Sequence, residues 1–386
     1  MENLIRQSRI LAEKINLEPI RQVRERINWS WRLIGIKGAR GVGKTTLMLQ
    51  QLRLTDPAQE RSIYLLLDDL HFLTNTLRGT VEMLAARGYQ YFYLDEVHKY
   101  ENWSREIKNL YDLFPDLYLV FTGSSIVELS RQQVDLSRRA VLYNMPGLSF
   151  REYLSLTGIA DLPAYPLPDL LTRHESIALE LIQQIKPLKY FRKYLEYGYY
   201  PFFLENIDLF GPRLRQVIQL VLESDLTTAE GGPVQKVNKI ALLLQVIAES
   251  APFMPNITKL AERTGLDRNT LLRYLQYLER AQLTASLYRQ GKGMTVLQKP
   301  EKLYLDNANL AYAMTSSDPD TGNLRETFFF NQVRQNHAVL YSSKGDFAID
   351  GNNVIEVGGK NKKADQVKKL DVYYLAADDI EVGVGR

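Results

Sequence analysis

The stretch from Trp31 to Leu52 constrains this chain more than any other. A short apolar strand, Trp31 to Lys37, runs into Gly38, Ala39, Arg40, Gly41, Val42, Gly43, Lys44, Thr45 and Thr46, and then into the helical pattern Leu47 to Leu52. Strand, glycine loop and helix in that order make a phosphate cradle. The glycines at 38, 41 and 43 let successive backbone N–H groups turn inward, and the following helix adds its dipole. Lys44 is placed to reach β and γ phosphates. Thr45 brings a hydroxyl suited to Mg²⁺, which bridges phosphate oxygens and offsets charge during transfer. ATP and Mg²⁺ are therefore the expected ligands, with Gly38 to Thr46 binding the nucleotide.

A second apolar strand, Tyr91 to Leu94, ends in Asp95 and Glu96. This puts two carboxylates at the carboxyl edge of a sheet, where α/β proteins form ligand sites. Asp95 suits the magnesium shell, and Glu96 suits a general base that polarises the attacking water. A third strand, Leu117 to Phe121, leads into Thr122 to Ser125, where the Ser124 hydroxyl is the candidate contact to the γ phosphate or the water.

With these motifs the chain resembles a family of prokaryotic AAA-type ATPases that join an ATPase core to a winged helix and a C-terminal restriction-endonuclease-like domain. The resemblance rests on the glycine loop, on Leu94 to Val97 followed by Trp103 and Ile107-Lys108, on Thr122 to Ser125, and on Pro146 to Tyr153. It implies an α/β fold: a P-loop AAA-type core with a parallel sheet (1–150), a helical lid (151–235), a winged helix-turn-helix (236–315) and a small α/β nuclease-like domain (316–386). Where the family has a Gly-Arg pair before the proline, this chain has Arg138-Arg139, so Arg139 is the residue carried over. A guanidinium near the γ phosphate stabilises transition-state charge, within the chain or in trans from a neighbouring subunit. The trans arrangement requires a homo-oligomer.

Helical spacing continues from His174 to Ile182, and aromatic residues cluster from Tyr190 to Phe203, which is assigned to packing. Further on, Ile240 to Ile247, Asn256 to Arg263, a turn at Gly265 and Asn269 to Leu278 follow the helix-turn-helix arrangement. Asp267 caps the last helix, whose exposed face offers Arg268, Asn269 and Arg273, with Lys292 in the following wing. From Lys236 to Lys299 there are ten basic residues against four acidic ones, a surplus larger than the +3 of the whole chain. That concentration gives DNA binding a physical basis through counterion release, and protein docking is the other use of such a module. In the tail, Glu326, Asp346 and Glu356 resemble the acids of a restriction-endonuclease-like domain. The Glu-x-Lys pattern needs lysine at 358, where this chain has Gly358, with Lys360 the nearest substitute. Without a placed lysine, the expectation is a nuclease-like but inactive domain.

Composition removes other classes. No cysteine is present, so there is no disulfide or thiolate metal site, and the four histidines, His71, His98, His174 and His337, lack ligand spacing. No apolar run approaches the ~20 residues that cross a bilayer, so a cytoplasmic chain is expected. The favoured reading is a Mg²⁺-dependent ATPase whose hydrolysis acts on or reports DNA binding. Its alternative is a slow nucleotide-gated switch, regulatory or defence-type, whose output is DNA or protein association.

Overall fold

The computed structural model describes residues 1–123, 136, 138–225, 235–290, 299–315, 317–351, 353–362 and 373–383. The chain divides into two compact units, Met1–Gly147 and Leu148–Arg386.

In the first unit the apolar runs pair as a five-stranded parallel sheet of β1 (Leu33–Lys37), β2 (Ser62–Leu66), β3 (Tyr91–Asp95), β4 (Tyr118–Gly123) and β5 (Val141–Asn144), ordered β2-β3-β4-β1-β5. β1 to β4 are buried almost continuously along their lengths. That pattern belongs to a parallel sheet covered on both faces, so these strands read as apolar runs rather than alternating ones. The covering helices are α1 (Glu2–Lys14), α2 (Val23–Arg26), α3 (Lys44–Thr55), α4 (Leu77–Ala85) and α5 (Trp103–Leu113). Trp103, Ile107 and Leu110 of α5 follow the i, i+4, i+7 rule and are all buried. The Trp103 ring lies 5.5 Å from that of Phe121. α1 shields the edge strand β2: its Leu4, Ser8 and Ala12 are buried, and Ser8 Oγ accepts from the Tyr64 N–H at 2.9 Å.

The second unit begins with α6 (Phe150–Leu156), α7 (Leu167–Gln184), α8 (Pro187–Tyr197) and α9 (Phe210–Leu220). Ser149 and Glu152 form a reciprocal capping box on α6, and Tyr153 packs among Phe150, Tyr194 and Phe203. The distinctive Phe-Arg-Glu-Tyr run is thus a helix start with an aromatic anchor. Next come α10 (Gln235–Ser250), α11 (Ile257–Thr264), α12 (Arg268–Arg280) and an antiparallel ribbon of β6 (Thr284–Leu287) and β7 (Lys302–Leu305). α13 (Ala308–Met314) and α14 (Thr321–Val333) lead to a four-stranded sheet of β8 (Val339–Tyr341), β9 (Phe347–Ile349), β10 (Asn353–Gly359) and β11 (Tyr374–Asp378), ordered β11-β10-β9-β8. The sequence divides this half at 235 and 315, but the structure joins it. α13 touches α8, α9, α10, α14 and β7, so one short helix serves all three expected parts. No helix among the described residues is long and apolar enough to cross a membrane.

Candidate functional site

β1 delivers the chain to the carboxyl edge of the sheet, and α3 carries it away. Between them Gly41 and Gly43 take φ of +81° and +96°, and a Cβ on Gly38 would lie 2.3 Å from the Met145 carbonyl oxygen. Only glycine fits there without backbone movement. Lys44 is buried, and its Nζ donates to the Gly38 and Ala39 carbonyls at 2.9 and 2.8 Å. Its ammonium therefore lies along the inside of the loop. Thr46 follows it in the first turn of α3. Arg21 holds the loop from behind: buried, it donates to the Val42 carbonyl at 2.7 Å and to those of Pro146 and Gly147 at 2.8 and 2.9 Å.

Asp95 ends β3 fully buried, two strands away from β1 with β4 between. Its Oδ2 accepts from Thr45 Oγ1 at 2.6 Å and from the Tyr64 hydroxyl at 2.7 Å. Its Oδ1 accepts from Thr122 Oγ1 and from the Glu96 N–H. Burial and the adjacent Asp95 carboxylate push the Tyr64 hydroxyl far above its usual range, which keeps it a donor. Hydroxyl and carboxylate oxygens at the loop exit are the hard donors that Mg²⁺ takes, so Thr45 and Asp95 fit that ion. Ser124 lies outside the described residues; its neighbour Thr122 is the hydroxyl that reaches Asp95.

Glu96 adopts φ +55°, ψ +40°, the left-handed region that costs a non-glycine residue roughly 1–2 kcal/mol. Its carboxylate lies 3.8 Å from Arg40 Nη1 and 3.6 Å from His98 Nε2, and Arg40 Nη2 is 3.5 Å from the same histidine nitrogen. The loop and the end of β3 thus meet through side chains. Arg139 does not join them. It precedes β5 at the amino edge of the sheet, five residues before the end of that strand beside the loop, about 16 Å at ~3.3 Å per residue. There both its Nε and Nη2 donate to the Asp112 carboxylate, at 2.8 and 2.9 Å. A role for Arg139 on its own chain's phosphates is corrected by this placement, because β5 carries the chain to the loop edge only after residue 139.

Tyr64, Arg21 and His98 are the residues that motif reading left unassigned. Tyr64 sits in an apolar run where an aromatic reads as core, and Arg21 belongs to no pattern; its only signal is an arginine close to the strand that feeds the loop.

In the second unit, α11 ends at Gly265, φ +61°, and Asp267 caps α12 by accepting from the Asn269 and Thr270 N–H groups. Leu271, Leu272, Tyr274, Leu275, Tyr277 and Leu278 bury most of α12. Arg268, Asn269, Arg273 and Arg280 remain exposed. The residues at 269, 273, 276 and 280 share one face of the helix, so Arg280 joins the expected set. Lys292 lies outside the described residues. Some of the basic surplus is already spent: Lys239 donates to the Gly265 carbonyl, and Arg263 pairs with Glu249.

The tail brings Glu326, Asp346 and Glu356 close together around two lysines. Lys302 pairs with Glu326 and lies 3.9 Å from Asp346; Lys362 Nζ is 2.8 Å from Glu356 Oε1. The substitute for the missing lysine is thus Lys362, not Lys360, and Gly358 explains it: a Cβ there would meet Lys362 Cγ at 2.4 Å. Two ammonium groups already neutralise most of this cluster, and no group of three acids or histidines among the described residues is arranged to hold a metal.

Residues 30–154 match the family model of an AAA domain, and residues 188–321 match a domain of unknown function (DUF8612). The first unit is thus similar to an AAA domain over most of its length. A curated relative, an uncharacterized protein of Methanocaldococcus jannaschii, is 27% identical over 285 residues; the match spans 70% of this chain and 60% of the relative's length. Similar solved structures include the Walker-type ATPase paby2304 of Pyrococcus abyssi, at TM-score 0.42 and 13% identity over 74% of this chain and 91% of that one. Another is AMPPCP-bound DnaA from Aquifex aeolicus, at TM-score 0.27 and 16% identity over 70% and 86%.

Proposed function

We propose that the chain is a Mg²⁺-dependent ATPase whose hydrolytic cycle is coupled to DNA binding by the second unit. The observation that carries this reading is the convergence of Lys44, Thr45, Asp95 and Glu96 at one sheet edge, with Asp95 joined to Thr45 by a 2.6 Å hydrogen bond. Lys44 and the loop amides hold the phosphates, and Thr45 and Asp95 hold the cation, which when bound offsets charge on the phosphate oxygens. Glu96 orients a water and accepts its proton as the water oxygen bonds to the γ phosphorus and the bond to the β–γ bridging oxygen breaks, leaving ADP and phosphate. Ser124 is the expected contact to that water. If Arg139 acts on phosphate, it acts on a neighbouring copy's, which makes the working form a homo-oligomer.

Tyr64→Phe removes one of the donors that orient Asp95. A hydrogen bond worth ~1 kcal/mol corresponds to an approximately fivefold rise in the Mg²⁺ concentration for half-maximal hydrolysis, with turnover at saturating Mg²⁺ nearly unchanged. A Mg²⁺ titration that superimposes on the wild type would remove Tyr64 from this role.

The helix pair and ribbon of the second unit serve as a winged helix that presents Arg268, Asn269, Arg273 and Arg280 to DNA. Alanine at Arg268 and Arg273 together is expected to lower duplex affinity and to flatten the dependence of log K on log salt by about two, roughly 0.9 per lost phosphate contact. Binding isotherms at several salt concentrations check this; an unchanged slope favours a protein partner for the same surface. The paired lysines argue that the tail's acids serve structure or binding rather than phosphodiester cleavage. The whole reading is tested by steady-state ATP hydrolysis with and without duplex, single-stranded and branched DNA. Stimulation by DNA supports a motor, whereas slow turnover indifferent to DNA, with nucleotide-dependent association, supports a switch. The Arg40–Glu96 pair favours the second, because it engages the base.

A further inference from the structure

We propose that Arg40 distinguishes a nucleoside triphosphate from a diphosphate, exchanging its ion pair with Glu96 for one with the terminal phosphate and releasing the base only when that phosphate is present. The inference rests on the ATPase reading above and deepens it. A phosphate-binding loop gains most of its grip from backbone N–H groups, which hold a diphosphate nearly as well as a triphosphate. Discrimination needs a group aimed at the third phosphate. Arg139, the arginine expected for that task, is engaged by Asp112 at the other edge of the sheet. Arg40 lies inside the loop itself, with its side chain only 14% exposed and its Nη1 3.8 Å from the Glu96 carboxylate.

The chemistry favours exchange over simple bridging. A guanidinium is a planar fork of five donors that matches phosphate oxygens, and a terminal phosphate carries more charge and more acceptor oxygens than one carboxylate. The existing pair is long, at 3.8 Å, and Glu96 has a second neighbour in His98 Nε2 at 3.6 Å. Losing Arg40 therefore does not strip the carboxylate of every partner. His98 Nε2 also lies 3.5 Å from Arg40 Nη2, so the three side chains form one cluster. Phosphate recognition and release of the base become one event, since one guanidinium serves both anions.

The test is calorimetric binding of ADP and of the non-hydrolysable triphosphate AMPPNP, with Mg²⁺, to the full chain and to Arg40→Ala, Arg40→Lys, Glu96→Gln and the Arg40→Ala/Glu96→Gln double variant. Arg40→Ala is expected to weaken AMPPNP by about tenfold or more, as loss of a charge-assisted phosphate contact does, while ADP affinity stays within about twofold and the melting profile is unchanged. Arg40→Lys restores part of the loss. Glu96→Gln tightens AMPPNP binding when Arg40 is present, and that gain disappears in the double variant, giving a coupling that independent sites would not show. Parallel weakening of both nucleotides by Arg40→Ala, an unchanged preference, or an equal effect of Glu96→Gln in both backgrounds overturns the proposal and leaves the ATPase reading standing. Failure of the wild type to bind either nucleotide overturns both.

Discussion

Glu96→Gln is expected to slow ATP hydrolysis by about 10²–10⁴-fold, the usual contribution of a positioned general base, while ATP binding persists or tightens. The amide keeps the size and much of the hydrogen-bonding geometry of the carboxylate but cannot accept the water's proton. Removing its negative charge also lowers repulsion toward the γ phosphate. The phosphate cradle is built from other residues: the glycine loop, Lys44 and the Thr45–Asp95 pair. Binding and chemistry should therefore separate cleanly, and single-turnover kinetics together with equilibrium binding measure both. A variant that loses binding and turnover together would mean that the Glu96 charge is needed for binding itself and not for the chemical step alone; the backbone at φ +55° is the same in both. Gln and Glu share that conformational cost, so the substitution isolates the charge.

The candidate phosphate site was legible because its residues are local in sequence. A glycine loop needs its glycines, lysine and threonine in one contiguous run, and the strand on either side sets its direction, so Gly38 to Thr46 could be read without knowing the sheet order. Asp95 and Glu96 were legible for the same reason, as acids ending an apolar run. Residues that reach the site from elsewhere carried no such mark. Tyr64 looks like any aromatic in a buried strand, and only the pairing of β2 with β3 brings its hydroxyl to Asp95. For Arg139 the limit was of the opposite kind: the motif near Pro146 is local, but which edge of the sheet the arginine lies at, and so whether it can serve its own chain, depends on strand direction. At the tail, Lys360 is nearer in sequence to Gly358, yet a turn after β10 carries Lys362 back across the glycine. The expected division at 235 and 315 followed changes in pattern along the chain, which do not reveal that α13 packs against elements from every part.

Asp306→Ala is expected to destabilise the second unit by about 3 kcal/mol, the lower end of the cost of breaking a buried ion pair, because the Arg334 side chain left behind is 22% exposed. Asp306 is 3% exposed, immediately after β7. It receives Arg334 from the end of α14, the Asn307 side chain at 3.3 Å and the Tyr199 hydroxyl at 3.4 Å. Asn331 donates to its carbonyl at 2.8 Å, while Asn309 donates to the carbonyls of Tyr194 and Leu195 at 3.0 and 2.7 Å. One carboxylate thus ties together the turn after α8, the start of α13 and the end of α14. Its removal takes an acceptor from the Arg334 guanidinium and from the Tyr199 hydroxyl, while the Asn307 amide keeps its bond to the Tyr200 hydroxyl at 3.1 Å. The three tryptophans, Trp29, Trp31 and Trp103, all belong to the first unit, which has its own core. In a denaturant titration, hydrogen exchange across α13 and α14 should therefore show loss of protection at lower denaturant, while tryptophan fluorescence keeps its wild-type midpoint. Coincident shifts of both probes would mean that the two units unfold as one, and no shift in either would mean that the polar cluster contributes specificity of packing rather than stability.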